Sequence, residues 1–118
     1  MKLVRQPRDS NLCGQSCIAT LANISLEDAC LVVGTKGCTN TADLKAALDL
    51  LGIKHAERRT RGEPSDTALL YFQSKDRKAA HWVLWHRKKY YDPAAGVFCK
   101  MPHHLEDSDM TSYLKVEL

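Results

Sequence analysis

Cys13 stands directly before Gly14-Gln15-Ser16-Cys17 and an apolar run, Ile18-Ala19-Thr20-Leu21-Ala22. A cysteine at the start of a helix can act as a nucleophile. Partial positive charge and unpaired N–H groups gather at a helix N-terminus and favour thiolate over thiol. Thiols so placed reach pKa values of roughly 3.5–7.5. Gly14 puts no side chain in the way of a carbonyl approaching the sulfur. The other cysteines read differently: Cys17, Cys30 and Cys99 suit packing in a core.

A thiol nucleophile needs a base, and the base needs a group that holds its ring and tautomer. His81 and Asp92 can supply both if the chain between them is a hairpin. With Arg87-Lys88 as a two-residue loop, His86 faces Lys89, Trp85 faces Tyr90, Leu84 faces Tyr91 and Val83 faces Asp92. Side chains alternate along a strand, so His81 shares a face with Val83 and Asp92 as a diagonal neighbour. Acyl transfer also needs donors aimed at the developing oxyanion. The Gln6 amide and the Cys13 backbone N–H are the candidates, with Asn11 and Gln15 as competitors for the side-chain role.

These residues have to be positioned by elements, and the sequence marks them. An extended lead-in over 3–11 contains Pro7 and the turn residues Asp9-Ser10-Asn11. A helix over about 13–22 buries Ile18, Leu21 and Ala22. Ser25 and Asp28 form a capping-box variant that opens a second helix ending at Gly34. Asn40 or Thr41 opens a third, with Leu44, Ala47, Leu48 and Leu51 on one face and Gly52 after it. The pattern then changes to strands: a short one within 53–59, one over 67–73, and the pair 81–86 and 89–92. A helical turn over 102–107 and a final strand carrying Leu114, Val116 and Leu118 follow. Helices first and strands afterwards is the α+β order.

The run Gln6…Leu12-Cys13-Gly14-Gln15-Ser16-Cys17-Ile18-Ala19 resembles the nucleophile segment of papain-like cysteine peptidases. It is most similar to that of the bacteriocin-processing, double-glycine-leader peptidases. The likeness extends through Ile24-Ser25-Leu26-Glu27-Asp28-Ala29 to Gly34, the helix from Thr41 to Gly52, His81-Trp82-Val83 and Asp92-Pro93. It spans most of residues 4–96. The sequence departs from the family pattern at three points. Gln6 lies one residue farther from Cys13 than usual, Leu12 replaces an aspartate, and the His81–Asp92 spacing is short. The resemblance implies a papain-like fold with N-terminal helices packed on a C-terminal antiparallel sheet. It also implies hydrolysis of a peptide or amide bond through Cys13, His81 and Asp92, with Gln6 at the oxyanion. A papain-like acyltransferase or deamidase, acting as a toxin or effector, uses the same residues. A non-catalytic peptide-binding domain of this fold is a further alternative.

Composition bounds these readings. At 118 residues, with 44% hydrophobic and 26% charged residues, the chain reads as a single globular domain over 1–118. No apolar run reaches the ~20 residues of a membrane span. Met1-Lys2-Leu3-Val4-Arg5-Gln6 lacks the apolar core of a signal peptide, so a cytoplasmic location is expected. Five cysteines then suggest free thiols. Cys13 and Cys17 are one helical turn apart, but a zinc site needs two more ligands. Cys30, Cys38, Cys99, His103 and His104 lack paired spacing, so no metal or cofactor is expected. His103-His104 reads as a surface pair. Net charge is only +3. Arg58-Arg59-Thr60-Arg61 and His86-Arg87-Lys88-Lys89 read as solvated edges and turn tips, with no nucleic-acid motif beside them. The expected partner is a peptide or protein substrate.

Overall fold

Cap chemistry sets the helix ends in the computed structural model, which describes residues 1–105 and 108–118. Helix α1 runs Cys13–Ala22 and stops at Asn23, whose φ of 57° is left-handed. Helix α2, Leu26–Val33, starts where the Ser25 side chain accepts from the Asp28 N–H and ends at Gly34, φ 86°. Helix α3, Thr41–Leu50, has a full capping box between Asn40 and Asp43. No single helix among the described residues is long and apolar enough to cross a membrane. The α1–α2 pair has the composition but bends by 110°.

Among the described residues six strands follow: β1 (Lys54–His55), β2 (Thr67–Ser74), β3 (Ala80–His86), β4 (Lys89–Asp92), β5 (Gly96–Phe98) and β6 (Ser108–Glu117). All pairs are antiparallel, in the order β1-β6-β2-β3-β4-β5. The architecture is α+β. The hairpin register matches the expectation at Leu84 opposite Tyr91, Trp85 opposite Tyr90 and His86 opposite Lys89, but the β3–β4 ladder ends there and does not include the expected Val83–Asp92 pair. Arg87 and Lys88 carry φ of 46° and 66°, the left-handed pair that a tight turn matched to strand twist requires.

Several boundaries differ from the sequence reading. The strand expected within 53–59 is only Lys54–His55, because the charged run after it pairs at one point, Thr60 with Tyr113. The strand expected near 114–118 is ten residues long and lies between β1 and β2. Its first half escaped notice because Asp109, Thr111 and Ser112 are polar and the β2–β6 register shifts at Tyr71/Phe72, which breaks the apolar alternation. The turn expected over 102–107 is a 3₁₀ turn at His103–Leu105; Glu106 and Asp107 lie outside the described residues.

The sheet carries a core on each face. Leu69, Trp82, Leu84, Tyr91, Leu114 and Val116 pack with Cys17, Ile18, Leu21, Leu44 and Leu48 of the helices. Each fully buried leucine in that layer contributes roughly 1.5–3 kcal/mol. Ala68, Leu70, Phe72 and Val83 face the other way, and Leu105 closes over them. Leu105 thereby anchors the 3₁₀ turn beneath the sheet, on the side to which alternation sends His81 and Asp92.

Candidate active site

The N-terminus of α1 meets the free end of β3. Pairing of β4 with β3 covers only Leu84, Trp85 and His86. Trp82, farther along, has no strand partner on that edge. Its N–H donates instead to Cys13 Sγ at 3.5 Å. Cys13 is half-buried at the first position of α1, and no side chain caps the helix there.

His81 Nε2 lies 2.7 Å from Asp92 Oδ1. Cys13 and His81 line one cleft, close enough for each to shift the other's pKa. Because Nε2 is committed to Asp92, Nδ1 is the nitrogen left for the sulfur. Burial opposes charge on both groups of the Cys13–His81 pair, and the hydrogen bonds outweigh it. The Cys13 thiol is held below its ordinary value by His81 and by the Trp82 N–H. Burial acts against the His81 proton, but Asp92 and Cys13 raise its pKa from 6.5 to about 9. The proximity of the two groups thus favours thiolate at Cys13 and imidazolium at His81. Cys17, one turn along, is fully buried, and burial pushes its thiol well up.

Asp92 is fully buried. Its Oδ1 also accepts the Ala94 N–H at 2.9 Å, so the turn role of Asp-Pro and the contact to His81 use the same oxygen. Its Oδ2 accepts from His104 Nε2 at 2.6 Å. Burial would raise the carboxyl pKa, yet His81, His104 and the Ala94 N–H together hold it below the ordinary value. His103 and His104 are both exposed, as a surface pair should be, but the His104 nitrogen also reaches the buried carboxylate. Spacing gave no hint of this contact, because it depends on Leu105 folding the 3₁₀ turn under the sheet.

Gln6 reaches the same cleft by another route. The Val4 N–H donates to Thr20 Oγ1 of α1 and the Gln6 N–H donates to Pro93 O, which clamps the lead-in between α1 and the turn after Asp92. A cleft of about 120 Å³ is lined by Gln6, Asn11, Cys13, Tyr71, His81 and Trp82, among others. Gln6 Nε2 donates to Ser10 O at 3.0 Å and makes a long contact of 3.5 Å with Ser10 Oγ, the weaker of the two and the one an oxyanion can replace. Gln15 is different: its amide is buried and donates to Thr35 O and Gly37 O, tying down the loop before α3. Both its N–H groups are spent, so it drops out as an oxyanion donor, while Asn11 stays exposed at the rim.

Gly14 is buried rather than open to substrate. A Cβ there would overlap the Thr39 hydroxyl and stand 3.2 Å from Leu44 Cδ2. Its lack of a side chain serves helix–loop packing. Cys30 is buried as expected, whereas Cys99 is exposed, and all five cysteines are free. His55 pairs with Asp49 and His86 with Thr67, so neither is turned to Cys13. Among the described residues, no three His, Cys, Asp or Glu side chains converge to hold a metal ion.

No family model matches the chain, and no match is found among curated proteins.

Proposed function

We propose that the chain is a papain-like cysteine hydrolase that cleaves a peptide or amide bond. The reading rests above all on Cys13 and His81 lining one cleft, with the sulfur at a helix N-terminus and His81 held at 2.7 Å by the buried Asp92. The order of helices and strands and the resemblance around Cys13, His81 and Asp92 support it.

In this reading the Cys13 thiolate attacks the substrate carbonyl carbon and forms a C–S bond. The carbonyl oxygen becomes an oxyanion that accepts from the Cys13 backbone N–H, one of the unpaired donors of the helix start, and from Gln6 Nε2. His81 gives its proton to the leaving amine as the C–N bond breaks, which leaves a thioester. Water then attacks, His81 takes its proton, the C–S bond breaks, and acid product and thiolate return. Asp92 orients the ring and stabilises its charged form throughout. An amine in place of water would make the same thioester a transfer intermediate.

The test is an activated acyl ester followed by intact-mass spectrometry. A transient adduct equal to the acyl group, mapped to Cys13 and absent from Cys13→Ala, is expected. Adduct on Cys38 or Cys99 at an equal rate, with none favouring Cys13, would leave a peptide-binding domain as the better account.

A further inference from the structure

A second pocket opens beside the Cys13 cleft, lined by Arg59, Arg61, Tyr71, Gln73, Thr111 and Ser112. Tyr71 belongs to both walls. The sheet register joins them again, with Tyr71 opposite Trp82 and Gln73 opposite Ala80, both of which line the cleft.

The lining suits an anion. Thr60 exchanges both backbone hydrogen bonds with Tyr113 at 2.8 Å, so the residues on either side of it, Arg59 and Arg61, are sent to one face. The Arg59 guanidinium lies 4.5 Å from the Tyr71 ring centroid, which braces it at the mouth of the cleft. Gln73 Oε1 is occupied by Arg77 Nη1 at 3.0 Å, which leaves the Gln73 amide hydrogens to donate. Thr111 and Ser112 add hydroxyls. Among the described residues, no carboxylate lines the pocket and neither Arg59 nor Arg61 forms an ion pair. Paired guanidiniums without an internal counterion are matched to a carboxylate from outside.

We propose that this pocket is a specificity subsite that takes the carboxylate of an aspartate or glutamate in the substrate. The step from Arg59 to Tyr71 is 4.5 Å, from Tyr71 to Trp82 4.8 Å, and from the Trp82 backbone nitrogen to Cys13 Sγ 3.5 Å. Extended chain covers about 3.3–3.6 Å per residue, which puts the acid within roughly four residues of the bond attacked. The subsite rests on the reading of Cys13 as nucleophile, so its test has one arm that needs cleavage and one that does not.

In the first arm, peptide pools carry glutamate or glutamine stepped through every position, and cleavage is read by mass spectrometry. Glutamate at one fixed position should be favoured by about fivefold or more, as two exposed ion pairs allow. The preference should shrink with salt and vanish in Arg59→Gln/Arg61→Gln. No preference, or one that survives the double substitution, overturns the subsite. If no peptide is cleaved at all, it is the hydrolase reading that fails, and the second arm decides the pocket. In that arm ¹⁵N-labelled Cys13→Ala protein is titrated with glutamate and glutamine peptides. Amide shifts at Arg59, Arg61 and Ser112 with glutamate alone, lost in the double variant, are expected. Absence of those shifts overturns the subsite, as does a single-stranded oligonucleotide that binds at least tenfold more tightly than the acidic peptide. The spectra of the double variant also report that it is folded.

Discussion

His104 Nε2 sits 2.6 Å from Asp92 Oδ2, on the carboxylate oxygen that His81 does not use. Asp92 is thus held from three directions: the strand-borne His81, its own turn through Ala94, and a 3₁₀ turn twelve residues away in sequence. A carboxylate fixed this way cannot rotate out of the plane that serves His81. His104 is a positioning residue, since its contact is with Asp92.

Removing His104 should therefore cost rate without removing the reaction. His104→Ala leaves a buried acceptor oxygen with only the water that enters where the ring stood. A loss of up to about tenfold in kcat/KM is expected, at the lower end of the cost of an unpaired buried acceptor. His104→Gln, which keeps an N–H donor, should restore most of it at unchanged thermal midpoint. Equal rates for His104→Ala and the parent chain would show that the turn and His81 suffice.

The two cysteines of α1 should differ sharply toward electrophiles. Cys13 is half-buried, with a thiol favoured as thiolate; Cys17 is fully buried, with its thiol pushed up. Iodoacetamide should modify Cys13 first, and Cys13→Ala should abolish the fast phase. Cys17→Ala should lower stability by roughly 1–3 kcal/mol through the cavity it leaves, with the fast phase retained. A fast phase that persists in Cys13→Ala and disappears in Cys17→Ala would reverse the assignment.

How far the site was legible follows from the range of each contact. The His81–Asp92 pair was readable because one local feature, the Arg87-Lys88 turn, fixes the register between them. The helices were readable because Ser25, Asn40, Gly34 and Asn23 end them by local chemistry. His104 was not, because its approach depends on Leu105 docking across the sheet. The length of β6 was hidden by polar residues that face a pocket rather than the core. Gly14 was read for the wrong neighbour: its space belongs to Thr39, which only folding brings to it.

That packing makes Gly14 a stability position. Gly14→Ala should destabilise the fold by about 1–3 kcal/mol, the usual cost of overpacking, despite alanine's better helix propensity. Thr39→Ala removes the overlapping hydroxyl, so the double variant should recover most of the loss. Denaturant melts of the four proteins give the coupling directly. A neutral Gly14→Ala would mean that the loop before α3 yields without cost.

His81 and Asp92 should separate in function. His81 carries the proton, and its removal should cost at least the roughly 10²–10⁴-fold that general acid–base catalysis contributes. Asp92→Asn keeps an oxygen for His81 and the Ala94 N–H, and its amide can donate to His104 once that ring takes its other tautomer. The loss in acylation rate should therefore be clearly smaller than for His81→Ala. Equal losses with the fold intact would make the carboxylate charge itself indispensable.

The last expectation concerns pH and has a definite sign. His81 is raised from 6.5 to about 9 in the folded chain. Its contribution to stability is fully present below 6.5 and is lost as pH rises through about 9. Asp92 is shifted the opposite way, so its contribution is present above 3.8 and is lost as pH falls through its depressed value. Turnover should follow the same groups. The acid limb should track formation of the Cys13 thiolate, below the thiol's ordinary 9.0, and the alkaline limb should fall near 9 as His81 loses the proton it gives the leaving amine. Alkylation by iodoacetamide needs no such proton, so its rate should stay high where turnover falls. Asp92→Asn removes the main support for the imidazolium and should move the alkaline limb to lower pH. A turnover profile that keeps rising through pH 9 alongside alkylation would mean that His81 is not the proton donor, and Cys13 would then be a reactive thiol without its acid.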